Sequence, residues 1–181
     1  MGDECMVSDE LDEGVGHGTA SMLDTDREGA DRWLISLVVP CYNEHEVLPI
    51  MVERLQSLAR TLNAELKCDT EIVLVDDGSG DGTWDQIRGH AAADDRIRGA
   101  RLTRNFGQQA ALTCAYALAR GDAVVCLDAD LQDPPEVVPE MVQRWREGFD
   151  VVYAVRRVRR GENVLKRGTA GGFYWLNREA Q

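Results

Sequence analysis

The sequence has few lysines, no closely spaced pair of cysteines and no long apolar run. These shortages limit the classes of protein to which it can belong. Lys67 and Lys166 are the only lysines among 181 residues. The five cysteines include no Cys-x-x-Cys pair and have no histidine at zinc-like spacing, so we expect reduced, mostly buried thiols in a soluble cytosolic protein. No apolar run approaches the roughly 20 residues of a membrane span, and the acidic N-terminus is unlike a signal peptide.

The negative charge is concentrated at the start of the chain. The formal net charge is −12, and residues 1–31 contain ten acidic side chains against Arg27 alone. This segment is rich in Asp, Glu and Gly and has few periodic apolar residues, which predicts a disordered acidic tail. Residues 32–181 are near neutral and long enough for one domain. Because their basic residues cluster only between Arg156 and Arg167, we do not expect nucleic-acid binding.

From Arg32 onward, apolar strands alternate with amphipathic helices. The predicted strands are 34–40, 71–75, 97–102, 123–127 and 150–155. A helix is predicted after each of the first four strands, over about 47–62, 83–93, 103–120 and 134–147. This alternation predicts an α/β domain with a mostly parallel sheet and helices on both of its faces.

Two helix starts carry recognisable signals. For the first helix, Asn43 and Glu46 resemble a capping box, whereas Pro49 would fit best in the first turn, and both possibilities stay open. For the fourth helix, Asp133 is a plausible N-cap with Pro134 at the first helical position and Glu136 completing a capping box.

Polar residues that no core requires follow the predicted strands at one edge of the sheet. They are Tyr42, Asn43 and Glu44 after the first strand, Asp76 and Asp77 after the second, Arg104 after the third, Asp128 and Asp130 after the fourth, and Arg156 after the fifth. Ligands of open α/β sheets bind beyond the carboxyl ends of the strands. Carboxylates facing such a crevice suit Mg²⁺ or Mn²⁺ held against a substrate's phosphates. The pattern therefore predicts a metal and nucleotide-diphosphate site.

Several other functions fit less well. Neither Gly-x-Gly-x-x-Gly nor a lysine-containing phosphate loop follows the first strand, which argues against dinucleotide oxidoreductases and P-loop NTPases. The segment 77–85 mimics a calcium loop, but a strand precedes it and Arg88 occupies the position that requires Glu. A receiver-type signalling domain would need a lysine near the sheet edge. A nucleotidyltransferase would need a basic, Gly-rich loop after the first strand. These last two remain minor alternatives.

Five motifs resemble those of family 2 glycosyltransferases of the GT-A fold. They are Val38-Val39-Pro40-Cys41-Tyr42-Asn43-Glu44, Val75-Asp76-Asp77-Gly78-Ser79, Arg104-Asn105-Phe106-Gly107, Asp128-Ala129-Asp130-Leu131-Gln132-Asp133-Pro134-Pro135-Glu136 and Phe173-Tyr174. Within that family they are similar to the polyprenyl-phosphate sugar transferases, which include relatives of bactoprenol glucosyltransferase and dolichol-phosphate mannosyltransferase. The resemblance implies a Rossmann-like enzyme that moves a hexose from a nucleotide-diphosphate sugar to a polyprenyl phosphate, with inversion, at the cytoplasmic face of the membrane.

The resemblance also implies roles for individual residues. The donor site would be formed by Pro40, Tyr42, Glu44, Asp76, Asp77 and Arg104, and the Mg²⁺ or Mn²⁺ site by Asp128, Asp130 and Gln132, of which Asp128 and Asp130 would be the catalytic pair. The acceptor phosphate would be positioned by Arg156, Arg157, Arg159, Arg160, Lys166 and Arg167, although each of these could equally form an exposed basic loop facing anionic lipid headgroups. Gln132-Asp133 favours UDP-glucose as the donor, with GDP-mannose second.

The end of the chain affects the expected activity. The membrane-anchored relatives continue past the Phe-Tyr region into an interfacial helix and transmembrane segments, whereas this chain ends at Gln181. We therefore expect 32–181 to be a catalytic domain with an intact donor side and a missing acceptor and membrane part. A truncated domain that binds the sugar nucleotide without transferring the sugar is the main alternative.

Overall fold

The computed structural model describes residues 32–129 and 134–155, together with the short strands Met6–Val7 and Leu176–Asn177. Several predicted features lie outside these residues: most of the acidic segment, Asp130, Gln132, Asp133, the basic residues from Arg156 to Arg167, and Phe173-Tyr174. Within the described part, no helix is both long enough and apolar enough to span a bilayer.

The centre of the fold is a six-stranded sheet of mostly parallel strands. Its strands are β2 (Leu34–Cys41), β3 (Asp69–Asp76), β4 (Ile97–Arg101), β5 (Ala123–Cys126), β6 (Val151–Val152) and β8 (Leu176–Asn177). They lie in the order β4-β3-β2-β5-β8-β6, in which the first four strands are parallel and β8 is antiparallel to both of its neighbours. A separate pair joins β1 (Met6–Val7) and β7 (Ala154–Val155). The mostly parallel sheet predicted from the sequence is confirmed.

Helices cover both faces of this sheet. They are α1 (Leu48–Leu66), α2 (Thr83–Ala93), α3 (Gln108–Leu118) and α4 (Val138–Arg146), with a 3₁₀ turn over Pro135–Val137 before α4. Leu37 and Val39 of β2 belong to the core beneath α1, α2 and α4, whereas the intervening Val38 packs with Ala111 and Ala115 of α3. Successive side chains of a strand point to opposite faces of the sheet, so β2 contributes residues to the hydrophobic clusters on both faces.

Of the two predicted starts for α1, the structure has the one with Pro49 in the first turn and not the one with the capping box of Asn43 and Glu46. Pro49 lies in the first turn and the N-cap, Val47, makes no side-chain capping bond. Asn43 instead adopts a left-handed backbone with φ of 55° and belongs to the loop before the helix. The predicted capping box of Asn43 and Glu46 is therefore wrong, because the Asn43 side chain accepts a hydrogen bond from the Gly80 amide in the loop after β3.

Three further boundaries differ from the prediction. Helix α3 begins at Gln108 instead of Thr103, since Gly107 has φ 93° and ψ 156°, which is not helical. Pro134 is extended (φ −73°, ψ 117°) instead of opening the helix, because a residue that precedes a proline disfavours helical backbone. The predicted fifth strand is split into β6 and β7, which pair with different partners.

A buried polar network joins β2, β3 and β4 near their amino ends, at the edge of the sheet opposite the carboxyl ends of these strands. Glu71, only 7% exposed, accepts hydrogen bonds from Ser36 Oγ (2.7 Å) and the Arg120 amide (2.6 Å) on Oε1, and from Arg98 (2.9 Å) on Oε2. The Gly121 amide donates to Ser36 Oγ at 2.9 Å. Burial alone would raise the pKa of Glu71, but these hydrogen bonds and the Arg98 charge outweigh it, and the pKa lies below its ordinary value.

Candidate functional site

The loops that follow the parallel strands meet at the carboxyl edge of the sheet and form a cleft of about 410 Å³. Its lining residues are Pro40, Cys41, Tyr42, Glu44, Asp77, Asn105, Gly107, Gln108, Ala111, Asp128 and Ala129. Five residues predicted from the sequence are thus brought together: Pro40, Tyr42, Glu44, Asp77 and Asp128. This is the edge at which open α/β sheets bind ligands.

The loop between β2 and α1 is held by the loop between β3 and α2. The Asn43 amide donates to Ser79 Oγ at 2.9 Å, and Asn43 Oδ1 accepts from the Gly80 amide at 3.1 Å. The Glu44 amide donates to Thr83 Oγ1 at 2.9 Å. These reciprocal bonds explain the left-handed backbone of Asn43, and they place Tyr42 and Glu44 at the cleft.

The adjacent carboxylates Asp76 and Asp77 lie in different environments. Asp76 is fully buried; its Oδ1 accepts from the Ser79 amide at 2.9 Å and its Oδ2 is 3.0 Å from Arg101 Nε. Asp76 does not line the cleft, so the structure separates it from the other predicted donor residues. Its ion pair and turn bond hold the end of β3.

Asp77 lines the cleft but is already bonded to the loop before α3. Its Oδ1 accepts from the Phe106 amide at 2.8 Å and its Oδ2 from the Gly107 amide at 2.9 Å. Only 2% of Asp77 is exposed. We call this pair of hydrogen bonds the Asp77 clamp. The clamp brings the loop between β4 and α3 against the cleft.

Asp128 follows β5 and is half-buried in the cleft wall. Gln108 Nε2, from the first residue of α3, donates to Asp128 Oδ1 at 3.2 Å. Two residues earlier, burial raises the pKa of Cys126 to about 11, with a contribution from the Asp128 charge. Burial likewise raises the pKa of Tyr116, next to Cys126, to about 12. The Cys126 thiol and the Tyr116 phenol are therefore neutral at physiological pH.

Arg104 is placed beside the cleft instead of in its lining. It is exposed, and its guanidinium carbon lies 4.7 Å from the centre of the Phe106 ring, a cation–π distance. The backbone of Arg104 packs directly on Gly78, where a Cβ would come within 2.3 Å of the Arg104 carbonyl carbon. A donor-binding role for the Arg104 side chain stays a prediction.

Six cleft residues were not among the predicted site residues: Cys41, Asn105, Gly107, Gln108, Ala111 and Ala129. A signal for Asn105 and Gly107 was present in the sequence, because Arg104-Asn105-Phe106-Gly107 follows a predicted strand at the ligand-binding edge. The predicted helix start at Thr103 placed both residues in a helix instead of a loop. The predicted residues Asp130, Gln132, Arg156, Arg157, Arg159, Arg160, Lys166 and Arg167 lie outside the described part of the chain, so their roles stay predictions.

The chemistry of the cleft fits one part of a divalent-cation site. Mg²⁺ and Mn²⁺ prefer oxygen ligands, and Asp128 offers a carboxylate in a cleft that also contains Glu44 and Asp77. Within the residues described, no group of three or more His, Cys, Asp or Glu side chains is arranged to hold a metal ion. Asp128 therefore fits one ligand position, and Asp130 and Gln132 remain the predicted others.

Comparison with known sequences identifies the family. Residues 36–179 match the sequence model of the family described as "Glycosyl transferase family 2". This segment includes every residue that lines the cleft. The chain belongs to glycosyl transferase family 2. The family recognised from the five motifs is confirmed, and membership in it supports neither a receiver domain nor a nucleotidyltransferase.

Curated relatives of this family 2 chain include proteins named as a bactoprenol glucosyl transferase and as an undecaprenyl-phosphate sugar transferase. An uncharacterized glycosyltransferase of Bacillus subtilis (strain 168) is 43% identical over 78% of the chain and 42% of its own length. A bactoprenol glucosyl transferase of Shigella phage SfV is 42% identical over 79% of the chain and 45% of its own length. An undecaprenyl-phosphate 4-deoxy-4-formamido-L-arabinose transferase of Aeromonas hydrophila is 42% identical over 70% of the chain and 38% of its own length. The chain thus spans less than half the length of these relatives.

Solved glycosyltransferase structures share the fold. A mannosyltransferase from Pyrobaculum calidifontis in complex with GDP-Man and Mn²⁺ superposes with a TM-score of 0.50 and 26% identity, covering 62% of this chain and 32% of that one. Mannosyl-3-phosphoglycerate synthase from Rubrobacter xylanophilus superposes with a TM-score of 0.50 and 21% identity, and the match covers 67% of this chain and 39% of that one. These likenesses confirm the GT-A, Rossmann-like fold class.

Proposed function

We propose that this chain carries the donor site of a metal-dependent, inverting glycosyltransferase that moves a hexose from a nucleotide-diphosphate sugar to a polyprenyl phosphate. The observation that carries the proposal is the convergence of Pro40, Tyr42, Glu44, Asp77 and Asp128 on one cleft in a family 2 chain. Support comes from two relatives, named as a bactoprenol and an undecaprenyl-phosphate sugar transferase, that are each 42% identical to the chain.

The nucleoside of the donor would occupy the part of the cleft next to β2. Tyr42 is 47% exposed there, and its ring can pack against a base, while Pro40 forms the apolar floor beside it. The Glu44 carboxylate can accept a hydrogen bond from a ribose hydroxyl. The bonds from the Asn43 and Glu44 amides to Ser79 and Thr83 hold the loop backbone that carries Tyr42 and Glu44 before the donor arrives, which lowers the ordering cost of binding.

The diphosphate of the donor would lie toward Asp128, where Asp130 and Gln132 would complete the ligands of Mg²⁺ or Mn²⁺. When bound, the cation neutralises charge that develops on the departing nucleoside diphosphate. Asp128 would contribute a carboxylate whose rotation is restrained, because Gln108 Nε2 donates to its Oδ1. The Mn²⁺ complex of the Pyrobaculum calidifontis mannosyltransferase supports a divalent cation in a structure of this fold.

A polyprenyl phosphate acceptor would make a strong general base unnecessary. Its phosphate oxyanion is already the nucleophile, so the protein has to position it rather than deprotonate it. A guanidinium group can donate two parallel hydrogen bonds to phosphate oxygens, and a lysine ammonium adds a compact positive charge. We propose for this role Arg156, Arg157, Arg159, Arg160, Lys166 and Arg167. Such an acceptor is anchored in a bilayer, which would bring the domain to the cytoplasmic surface of the membrane.

The relatives do not share one sugar. Two relatives of equal identity carry the names of a glucosyl and a formamido-arabinose transferase, so identity alone does not choose the donor. Gln132-Asp133 favours UDP-glucose, with GDP-mannose second.

Titration calorimetry of the purified chain with UDP-glucose and with GDP-mannose, each with and without Mn²⁺, tests the donor site. We expect Mn²⁺ to tighten binding of one donor, and Asp128→Asn to remove this gain without lowering the melting temperature. Asp85→Asn, the same change on the exposed surface of α2, is the matched control. If the wild-type chain bound neither donor, the assignment of UDP-glucose or GDP-mannose would be wrong. If Asp128→Asn bound as the wild type does, the proposed metal site would be wrong. Transfer of labelled sugar to polyprenyl phosphate then separates an active enzyme from a donor-binding domain.

A further inference from the structure

The Asp128 carboxylate is held by a residue to which no role has been given. Gln108 Nε2 donates to Asp128 Oδ1 at 3.2 Å, and both side chains line the cleft. The two residues are twenty positions apart and lie on different elements, the first turn of α3 and the loop after β5. The distance between them therefore depends on where α3 begins.

The start of α3 is determined by the Asp77 clamp. The Phe106 and Gly107 amides donate to opposite oxygens of one buried carboxylate, at 2.8 and 2.9 Å, immediately before Gln108. Asn105 Oδ1 also accepts from the Gly107 amide at 3.0 Å. The close approach of Gly78 to the Arg104 backbone packs the same loop against β3. The backbone that carries Gln108 is thus fastened on the side of the cleft that Asp77 occupies.

We propose that Gln108 is a positioning residue for the Asp128 carboxylate, and that the Asp77 clamp keeps Gln108 within reach of it. This inference rests on the proposed function, in which Asp128 binds the divalent cation of the donor complex. An N–H donor on Oδ1 restrains rotation of the carboxylate, so less conformational freedom is lost when the cation binds. Hydrogen-bond partners of metal ligands orient them in this way and tune their affinity.

The test is the metal dependence of UDP-glucose binding, expressed as the ratio of the dissociation constants without and with Mn²⁺. For the loss of one hydrogen-bond partner of a metal ligand, Gln108→Ala should lower this ratio by about tenfold or more, with the loss falling mainly on the affinity measured with Mn²⁺. A purely structural defect would weaken both measurements. Gln109→Ala is the matched control, because Gln109 is the next residue of α3, does not line the cleft, and bonds Thr113 through its backbone carbonyl. It should keep the wild-type ratio.

The clamp is tested separately and without ligand. Asp77→Asn keeps the shape of the side chain but turns an NH₂ group toward one of the two loop amides. Hydrogen exchange of the Phe106 and Gly107 amides, followed by NMR, should accelerate at least about tenfold once a charged acceptor is lost. The ratio defined above should also fall, and adding Asp77→Asn to Gln108→Ala should lower it no further, because both changes act on the same bond.

The outcomes separate the two levels of inference. If the wild type shows no metal dependence, the proposed metal site fails. If the wild type is metal-dependent and Asp128→Asn is not, but Gln108→Ala keeps the wild-type ratio, the proposed function stands and the role of Gln108 is refuted. Unchanged amide exchange in Asp77→Asn, or additive losses in the double variant, would refute the clamp as the support of Gln108.

Discussion

Glu71→Gln tests whether the buried network at the amino ends of the strands stabilises the domain. The substitution keeps the volume of the side chain and removes its charge, so it creates no cavity. Glu71 Oε1 accepts from Ser36 and the Arg120 amide, and Oε2 accepts from Arg98. In the variant, the first two bonds become neutral and the amide NH₂ replaces the acceptor that faces Arg98, unless the group flips and breaks the other pair.

The expected loss follows from these three contacts. Hydrogen bonds to charged groups contribute about 1.5–3 kcal/mol each, against about 0.5–1.5 kcal/mol for neutral ones. The Arg98 side chain is 28% exposed, so solvent screens part of its ion pair and its loss is placed at the lower end. We expect Glu71→Gln to lower the free energy of unfolding by about 2–4 kcal/mol.

Urea unfolding followed by tryptophan fluorescence measures this loss. With an m-value of about 2 kcal/mol per molar, the midpoint should fall by roughly 1–2 M. Glu65→Gln on the exposed surface of α1 makes the same chemical change and should shift stability by less than about 0.5 kcal/mol. If the two variants unfolded at the same urea concentration, the network would not be the stabilising element that its geometry implies.

The same variant should change the pH dependence of stability. The folded-state pKa of Glu71 lies below its ordinary value, so the charged form contributes stability that is fully present above the unfolded pKa of about 4.3. This contribution disappears as the pH falls through the folded pKa. The stability difference between the wild type and Glu71→Gln should therefore be constant near neutrality and shrink in acid. A difference that grew toward low pH would contradict the assigned sign.

Three further predictions concern the cleft and the core. Gly78→Ala should cost about 2–4 kcal/mol in urea unfolding, because φ is +71° and the new Cβ would meet the Arg104 carbonyl carbon at 2.3 Å; wild-type stability would refute the contact. Trp145→Ala should cost about 3–5 kcal/mol, since Trp145 is 1% exposed and packs edge-on against Trp33; a smaller loss would mean that the site collapses. Burial raises the pKa of Cys126 to about 11, so native protein at pH 8 should resist iodoacetamide at this thiol in peptide mass spectrometry; rapid labelling would contradict this.

The position of the cleft could be predicted because it depends on the order of elements. Alternating strands and helices require a parallel sheet, and the carboxyl ends of parallel strands share an edge. That reasoning predicts that the polar residues after the strands lie together, and Tyr42, Glu44, Asp77 and Asp128 of the predicted set line one cleft, whereas Asp76 and Arg104 do not. It could not distinguish Asp76 from Asp77, since neighbouring residues at a strand end carry the same local signal.

The sequence by itself determined the elements, the family and the edge of the sheet at which the site lies, because apolar periodicity and short motifs are local properties of the chain. Only the tertiary structure decided the loops. Asn43 is left-handed because Ser79 and Gly80 hold it, and α3 starts late because Asp77 binds the amides before it. These hydrogen bonds join residues about thirty positions apart or more, so no local pattern reveals them, and they decide which carboxylates line the cleft.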